Sequence, residues 1–192
     1  VVREAERLGV EELIVTECGH AYSTFRWALP NWFGELPFKV RSIIEVIDEY
    51  IADGRIEVEK SEEWGKVTVH DPCNLGRNGG IFEEPRRVIN ATVTDFVDMT
   101  PNREYNYCCG GGGGLVANLD VEDRRIAAGR PKADQIKATG ADVVVTSCDN
   151  CRHQITELSE HYDLGVTVTG VAELTMKAMK KKKQHQKVEE TP

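Results

Sequence analysis

One pattern of apolar and polar positions occurs twice along the chain. The stretch Ala5-Glu6-Arg7-Leu8-Gly9-Val10-Glu11-Glu12-Leu13-Ile14-Val15-Thr16-Glu17-Cys18 parallels Ile136-Lys137-Ala138-Thr139-Gly140-Ala141-Asp142-Val143-Val144-Val145-Thr146-Ser147-Cys148. Each reads as the end of a helix, a glycine stop, a short apolar strand and a turn carrying a cysteine. Gly9 and Gly140 stand where a helix terminus calls for a left-handed residue. Short, wholly apolar strands suit a parallel sheet covered on both faces. Further on, Val40, Ile43, Ile44, Ile47 and Ile51 fall on one helical face, and Val171, Leu174 and Ala178 repeat that face more weakly. Glu45 and Glu173 hold matching places. The pattern predicts an α/β fold built on an internal repeat whose first copy enters in its second half. The polar run 52–64 reads as the linker between copies.

The second copy reads as whole. Residues 66–70 alternate as a strand and deliver Asp71-Pro72-Cys73. Pro85 suits the first turn of a helix containing Val88 and Ile89. Residues 93–99 suit a further strand, and Cys108-Cys109 with Gly110 to Gly114 follow. Pro131 is expected to break or kink the helical segments around it. The division expected is 1–62, 63–179 and a polar tail, 180–192, with four consecutive lysines and the composition of a disordered end.

Composition narrows the function. Hydrophobic residues make up 40% and charged residues 29%, as in soluble globular chains. The net charge of −8 gives no field that would draw nucleic acid. No apolar run reaches the roughly 18–20 residues that span a bilayer, and the first ten residues lack the apolar segment of a signal peptide. The chain opens without Met on a helical pattern, and it reads as a piece of a longer protein. Six cysteines allow three disulfides. The chain has apolar runs enough for a core without staples, which favours an intracellular metal or redox role.

Five cysteines carry the candidate chemistry. Cys73 is followed by the adjacent pair Cys108-Cys109, then by Cys148-x-x-Cys151. Each lies in a loop expected after a strand, and such loops gather at one end of a doubly wound sheet. Cys148 and Cys151 would share one side of a helix's first turn, where free N–H groups favour thiolate. Gly110, Gly111 and Gly112 can approach a cofactor closely and aim N–H groups at sulfur. Tetrahedral zinc is the plainer reading of Cys-x-x-Cys, but a fifth cysteine and an adjacent pair fit four ligands poorly. A thioredoxin-like pair at Cys148 and Cys151 leaves the other three unexplained.

The pattern Cys73 … Cys108-Cys109-Gly110 … Cys148-x-x-Cys151 resembles the cysteine-rich "CCG" domain of heterodisulfide reductases and related iron–sulfur oxidoreductases. His70-Asp71-Pro72-Cys73-Asn74-Leu75-Gly76-Arg77, Phe82-Glu83-Glu84-Pro85-Arg86 and Tyr105-Asn106-Tyr107-Cys108-Cys109 with the glycine run are similar to the branch of catalytic K subunits in sulfite-reduction-associated membrane complexes. The resemblance spans nearly all of the chain except the tail. It implies two pseudo-symmetric CCG-type repeats, the first degenerate, and one non-cubane [4Fe-4S] cluster on the five cysteines. It implies a cytoplasmic subunit on the inner membrane face, working with cytochrome or quinone-reactive membrane subunits. Its substrate would be a small sulfur-carrier protein with a disulfide or trisulfide. Its electrons would pass through an upstream ferredoxin-like domain that this chain does not include. Two other roles stay open: a CCG electron-transfer subunit of a flavin dehydrogenase, and a zinc-stabilised interaction module.

The first copy departs from the motif. Aligned on Cys18, it has Ala21 where Cys151 would stand, with His20 beside it. Pseudo-symmetry would bring Cys18 and His20 to the site from the opposite half. There the imidazole, a side chain that titrates near neutrality as a class, could protonate a leaving thiolate. An ordinary loop histidine and a buried small cysteine are the plainer alternatives. His70 either orients the Cys73 loop or closes a strand, and Arg77 either attracts an acidic partner or forms a surface salt bridge. Trp27, Trp32 and Phe33, among Pro30 and Pro37, form an aromatic loop that is either a docking patch or a local core.

Overall fold

The computed structural model describes residues 1–180; the expected disordered tail lies outside them except for Lys180. The chain runs α1 (Val2–Arg7), β1 (Glu12–Val15), α2 (Gly19–Ser23), a π-helical turn (Thr24–Ala28), α3 (Pro30–Phe33), β2 (Lys39–Ser42) and α4 (Ile43–Ala52). It continues through β3 (Ser61–His70), α5 (Glu83–Thr92), β4 (Val93–Phe96), α6 (Glu122–Ala128), α7 (Arg130–Thr139), β5 (Val143–Thr146), α8 (Asp149–His161), β6 (Thr167–Gly170) and α9 (Val171–Ala178). Every sheet pairing is parallel: β1 with β2, and a second sheet in the order β4-β3-β5-β6. This is the α/β architecture of short parallel sheets flanked by helices that the apolar runs predict.

The two halves share a frame, α1, β1, β2 and α4 in the first corresponding to α7, β5, β6 and α9 in the second. Val15 pairs with Ser42 at the end of β1 and β2, and Thr146 pairs with Gly170 at the end of β5 and β6. A helix starts directly after each second strand. Gly9 and Gly140 both adopt left-handed φ, +64° and +60°, after the helices they end. Three boundaries differ from the sequence reading. Val40 lies in β2, so the amphipathic helix starts only at Ile43; the Ser42–Glu45 capping box, which satisfies the first free N–H groups, sets that start. The strand after α5 stops at Phe96 rather than Met99. The strand read as 66–70 begins at Ser61, within the expected linker. Pro131 is the second residue of α7, and α6 and α7 break at Gly129.

One hydrophobic core joins the halves. Val15, Ile44 and Ile47 pack in the same cluster as Val67, Val69, Val145 and Leu174. Burial of that many branched side chains at about 25 cal/mol per Å² of apolar surface is the main force holding the sheets together. A polar link adds to it: the Glu17 carboxylate accepts from the N–H groups of Val171 (2.6 Å) and Ala172 (3.3 Å). Gly170 has no side chain to cap α9, so the first half supplies the cap. The N–H of Asp149 at the start of α8 likewise donates to the Glu17 carbonyl (2.9 Å). The loops after β1, β3 and β5 therefore meet at the carboxyl ends of the strands, where open α/β sheets place their sites.

Candidate metal centre

All five cysteines of the motif line one small space, together with Gly19, His20, Asn74, Gly111, Gly112 and Asn150. Cys73 arrives on the loop after β3, whose end is fixed by a buried charge network. Arg86 makes a fork of hydrogen bonds to both Asp71 oxygens (2.7 and 2.9 Å) and a second fork to Asp98 (2.8 and 2.7 Å). Cys148 is the N-cap of α8 and Cys151 its third residue, as the i, i+3 spacing predicts. Cys109, Cys148 and Cys151 are buried, Cys73 is half-buried and Cys108 is exposed. The space is thus closed on the α8 side and open at Cys108.

Backbone N–H groups converge on the sulfurs. Gly110 N–H donates to Cys108 Sγ (3.3 Å) and Gly111 N–H to Cys109 Sγ (3.5 Å). Gly110 needs its φ of +93° for this turn. A Cβ on Gly111 would stand 2.7 Å from Gln154 Cβ and Val116 Cγ2, so no larger residue fits that approach. The Cys109 and Cys151 sulfurs are 3.3 Å apart, and one ring nitrogen of buried His70 lies within 4.8 Å of both.

Crowding splits the thiols electrostatically. Hydrogen bonds from Cys109 and Cys73 push the Cys108 thiol far down, and the Gly110 N–H adds to the effect. The reciprocal bond pushes Cys109 up to about 12 and drives Cys73 up further. Cys151 is raised by hydrogen bonds to Cys109 and Cys148 and by burial. Cys148 is lowered to about 6, first by Cys151 and then by N–H groups of Gly19, Cys151 and Asn150. Five adjacent thiolates without a cation among them would repel one another strongly. The donor set therefore fits a polynuclear iron–sulfur group, whose metal charge holds coordinating thiols deprotonated. The fit rests on five convergent sulfurs plus N–H donors, more than a tetrahedral zinc site uses.

The first half contributes one wall. His20 lines the space; its Nε2 accepts from Gly113 N–H (3.3 Å), and its buried Nδ1 has no partner among the described residues. Cys18 does not line the space: it is the N-cap of α2, its sulfur accepting from Ala21 N–H (3.4 Å). His70 closes β3, fully buried. Arg77 forms no salt bridge among the described residues; its guanidinium donates to the carbonyls of Glu104 (2.9 Å) and Asn106 (2.6 Å) and clamps the loop before Cys108. Trp27, Trp32 and Phe33 are exposed, so their loop is not a local core.

Sequence reasoning missed the polar layer beneath the thiols. Asn106 Nδ2 donates to the Asp71 carbonyl (2.6 Å) and faces His70 Nδ1 (3.3 Å). Lys132 Nζ donates to Asn106 Oδ1 (2.6 Å). Asn106, beside the cysteine pair, was visible in the motif. A lysine on a helix reads as a solvent-facing residue, and nothing local marked Lys132.

The CCG family, described as a cysteine-rich domain, matches residues 67–156. The chain is 30% identical over 188 residues to a subunit of the dihydromethanophenazine:CoB–CoM heterodisulfide reductase of Methanosarcina barkeri, covering 93% of this chain and 45% of that protein. It is 28% identical to the Hdr-like menaquinol oxidoreductase iron–sulfur subunit 2 of Archaeoglobus fulgidus (93% and 39% covered) and 29% identical to the EtfAB:quinone oxidoreductase of Syntrophomonas wolfei (89% and 24% covered). The chain spans less than half the length of each of these relatives. No helix among the described residues is long and apolar enough to cross a membrane. Residues 67–156 thus form a CCG cysteine-rich domain, and the chain is a homologue of heterodisulfide reductase and Hdr-like iron–sulfur oxidoreductase subunits.

Proposed function

We propose that Cys73, Cys108, Cys109, Cys148 and Cys151 hold one non-cubane [4Fe-4S] cluster that breaks or forms a sulfur–sulfur bond on a small carrier protein. The convergence of all five thiols on one space, open at Cys108, supports this reading. Reducing a disulfide consumes two electrons and two protons and yields two thiols. When bound, the cluster supplies single electrons and iron sites for sulfur. The chain supplies the rest. Gly110 and Gly111 direct N–H groups at the cysteine sulfurs, and exposed Cys108 marks the entrance. His20 carries its hydrogen on Nδ1, its Nε2 accepting from Gly113 N–H; a proton taken up from solvent at Nε2 in place of that contact lets the ring give its Nδ1 proton to the departing thiolate and return to neutral. Cys18 serves this step by capping the helix that carries His20. Electrons are exchanged with membrane cytochrome or quinone-reactive subunits through a ferredoxin-like domain outside these residues. The protein works on the cytoplasmic membrane face as part of a complex.

The EtfAB:quinone and menaquinol oxidoreductase relatives favour a second reading, in which the same centre only passes electrons between a flavin partner and quinone. Anaerobic purification with metal and sulfide analysis is the first test: about four irons with labile sulfide per cluster are expected, and zinc without sulfide would sink both readings. The purified complex is then offered a carrier disulfide or a flavin donor with quinone. Carrier reduction that falls about 100-fold in His20→Asn, with iron content unchanged, supports the first. Quinone reduction with no carrier turnover selects the second.

A further inference from the structure

Lys132 has 0% exposure, yet it makes no ion pair among the described residues. Its ammonium is held by Asn106 Oδ1, Gln135 Oε1 and, at 3.6 Å, Met99 Sδ. Lysine is almost never fully buried unless paired, because an isolated cation in an apolar interior is strongly disfavoured. The nearby carboxylate Asp71 is already engaged by the Arg86 fork. Burial pushes the Lys132 pKa down to about 8, and the groups that oppose that shift are Cys109, Asp71, Cys151 and Cys108.

The hydrogen bonds above Lys132 have only one consistent polarity. An ammonium can only donate, so it must meet the oxygen of Asn106. That orientation turns Nδ2 outward, toward the Asp71 carbonyl and His70 Nδ1. An amide nitrogen cannot accept, so His70 Nδ1 must be the acceptor and Nε2 must carry the hydrogen. His70 Nε2 is buried with no partner among the described residues, in a ring that approaches the Cys109 and Cys151 sulfurs. Burial and the Lys132 charge hold the ring neutral.

We propose that Lys132, Asn106 and His70 form a buried counter-charge for the anionic iron–sulfur group: Lys132 opposes its negative charge and, through Asn106, sets His70 with Nε2–H free to donate to it. These are positioning residues, and the inference rests on the cluster assignment above. Hydrogen bonding and local charge are the terms by which a protein sets cluster potential. Removing the cation disfavours the reduced, more negative state.

The test is an EPR-monitored redox titration of the anaerobically purified protein, with iron and sulfide counted in each sample. Lys132→Met is expected to keep its iron and to shift the oxidised-to-reduced ratio at fixed potential at least tenfold, about 59 mV lower for one electron. Should that variant fail to assemble, Asn106→Asp decides, because it leaves the lysine in place and cancels its charge with a neighbouring carboxylate. A downward shift of similar size in a loaded Asn106→Asp supports the proposal. Loaded variants with the wild-type potential overturn the counter-charge while leaving the cluster assignment intact. A wild-type protein without iron overturns the cluster assignment instead.

Discussion

The turn after β1 and the turn after β5 start alike and end differently. In both, a parallel strand runs into a cysteine at the N-cap position of a helix: Cys18 for α2, Cys148 for α8. After Cys148 the helix runs thirteen residues and its first turn presents Cys151 to the same space. After Cys18 the helix lasts five residues and passes into a π-helical turn. The start of α2 offers His20 and the N–H of Gly19 to the other half's centre. A Cβ on Gly19 would come 3.2 Å from Asn74 Cβ and 3.3 Å from Leu75 N, beside Cys73. One architecture therefore yields a ligand-bearing turn in one half and a closing wall in the other. The difference lies in a few side chains rather than in topology.

The sharpest way to break this comparison is to exchange sulfur for oxygen in both turns. Cys151→Ser is expected to lose most of its cluster iron, since a hydroxyl is a poor soft-metal ligand. Cys18→Ser is expected to keep its iron and its fold, because serine caps a helix N-terminus well. Equal iron loss in the two variants, by metal analysis and visible absorption, would show that Cys18 is also a ligand.

The anchoring charges of the two halves differ in the same way. Arg86 is nearly fully buried between Asp71 and Asp98, whereas Arg41 reaches Glu12 and Glu49 at the surface. Arg86→Met should cost roughly 3–5 kcal/mol, because it strands the buried Asp71 carboxylate. Arg41→Met should cost about 0–1 kcal/mol. Urea unfolding of the two variants measures the contrast, and similar midpoints would refute it.

The smallest effect concerns the cap that joins the halves. Burial raises the pKa of Glu17, and the bonds from Ala172 and Val171 N–H lower it less. A folded value above the unfolded one means that this group's contribution is complete below the ordinary value of 4.5 and is lost as pH rises through the folded value. Glu17→Gln keeps an acceptor oxygen without the ionisation. Its stability relative to the parent should therefore improve from pH 4 to pH 7. Glu17→Ala should lose about 1 kcal/mol at pH 4 and less at pH 7, because it too lacks the ionisation. A Gln variant whose relative stability does not change with pH would show that folding does not raise the Glu17 pKa.

Much of this was legible along the chain. Glycine stops at Gly9 and Gly140, apolar runs at residues 13–15 and 143–145, and cysteines placed just beyond them are local features governed by local physics. Helix ends need left-handed residues, buried strands need apolar ones, and a helix N-terminus draws a thiolate. Boundaries were less legible where one residue type suits two elements, as with Val40, which is apolar enough for either a helix face or a strand. Arg77 was misread because its partners are backbone carbonyls 27 and 29 positions away, which carry no side-chain signature.

By itself the sequence determined the α/β class, the alternation of short parallel strands with helices, and the five thiols in loops that parallel strands bring to one end. Only the tertiary structure decided that Cys18 caps a helix while His20 reaches the space, that Glu17 closes a helix in the other half, and that Lys132 lies buried beneath Asn106 and His70. The physical reason is range. Propensity, periodicity and capping act within a few residues of each other. Burial and electrostatic partnership depend on which surfaces meet, and for a lysine in an otherwise ordinary helix that is written nowhere near the residue itself.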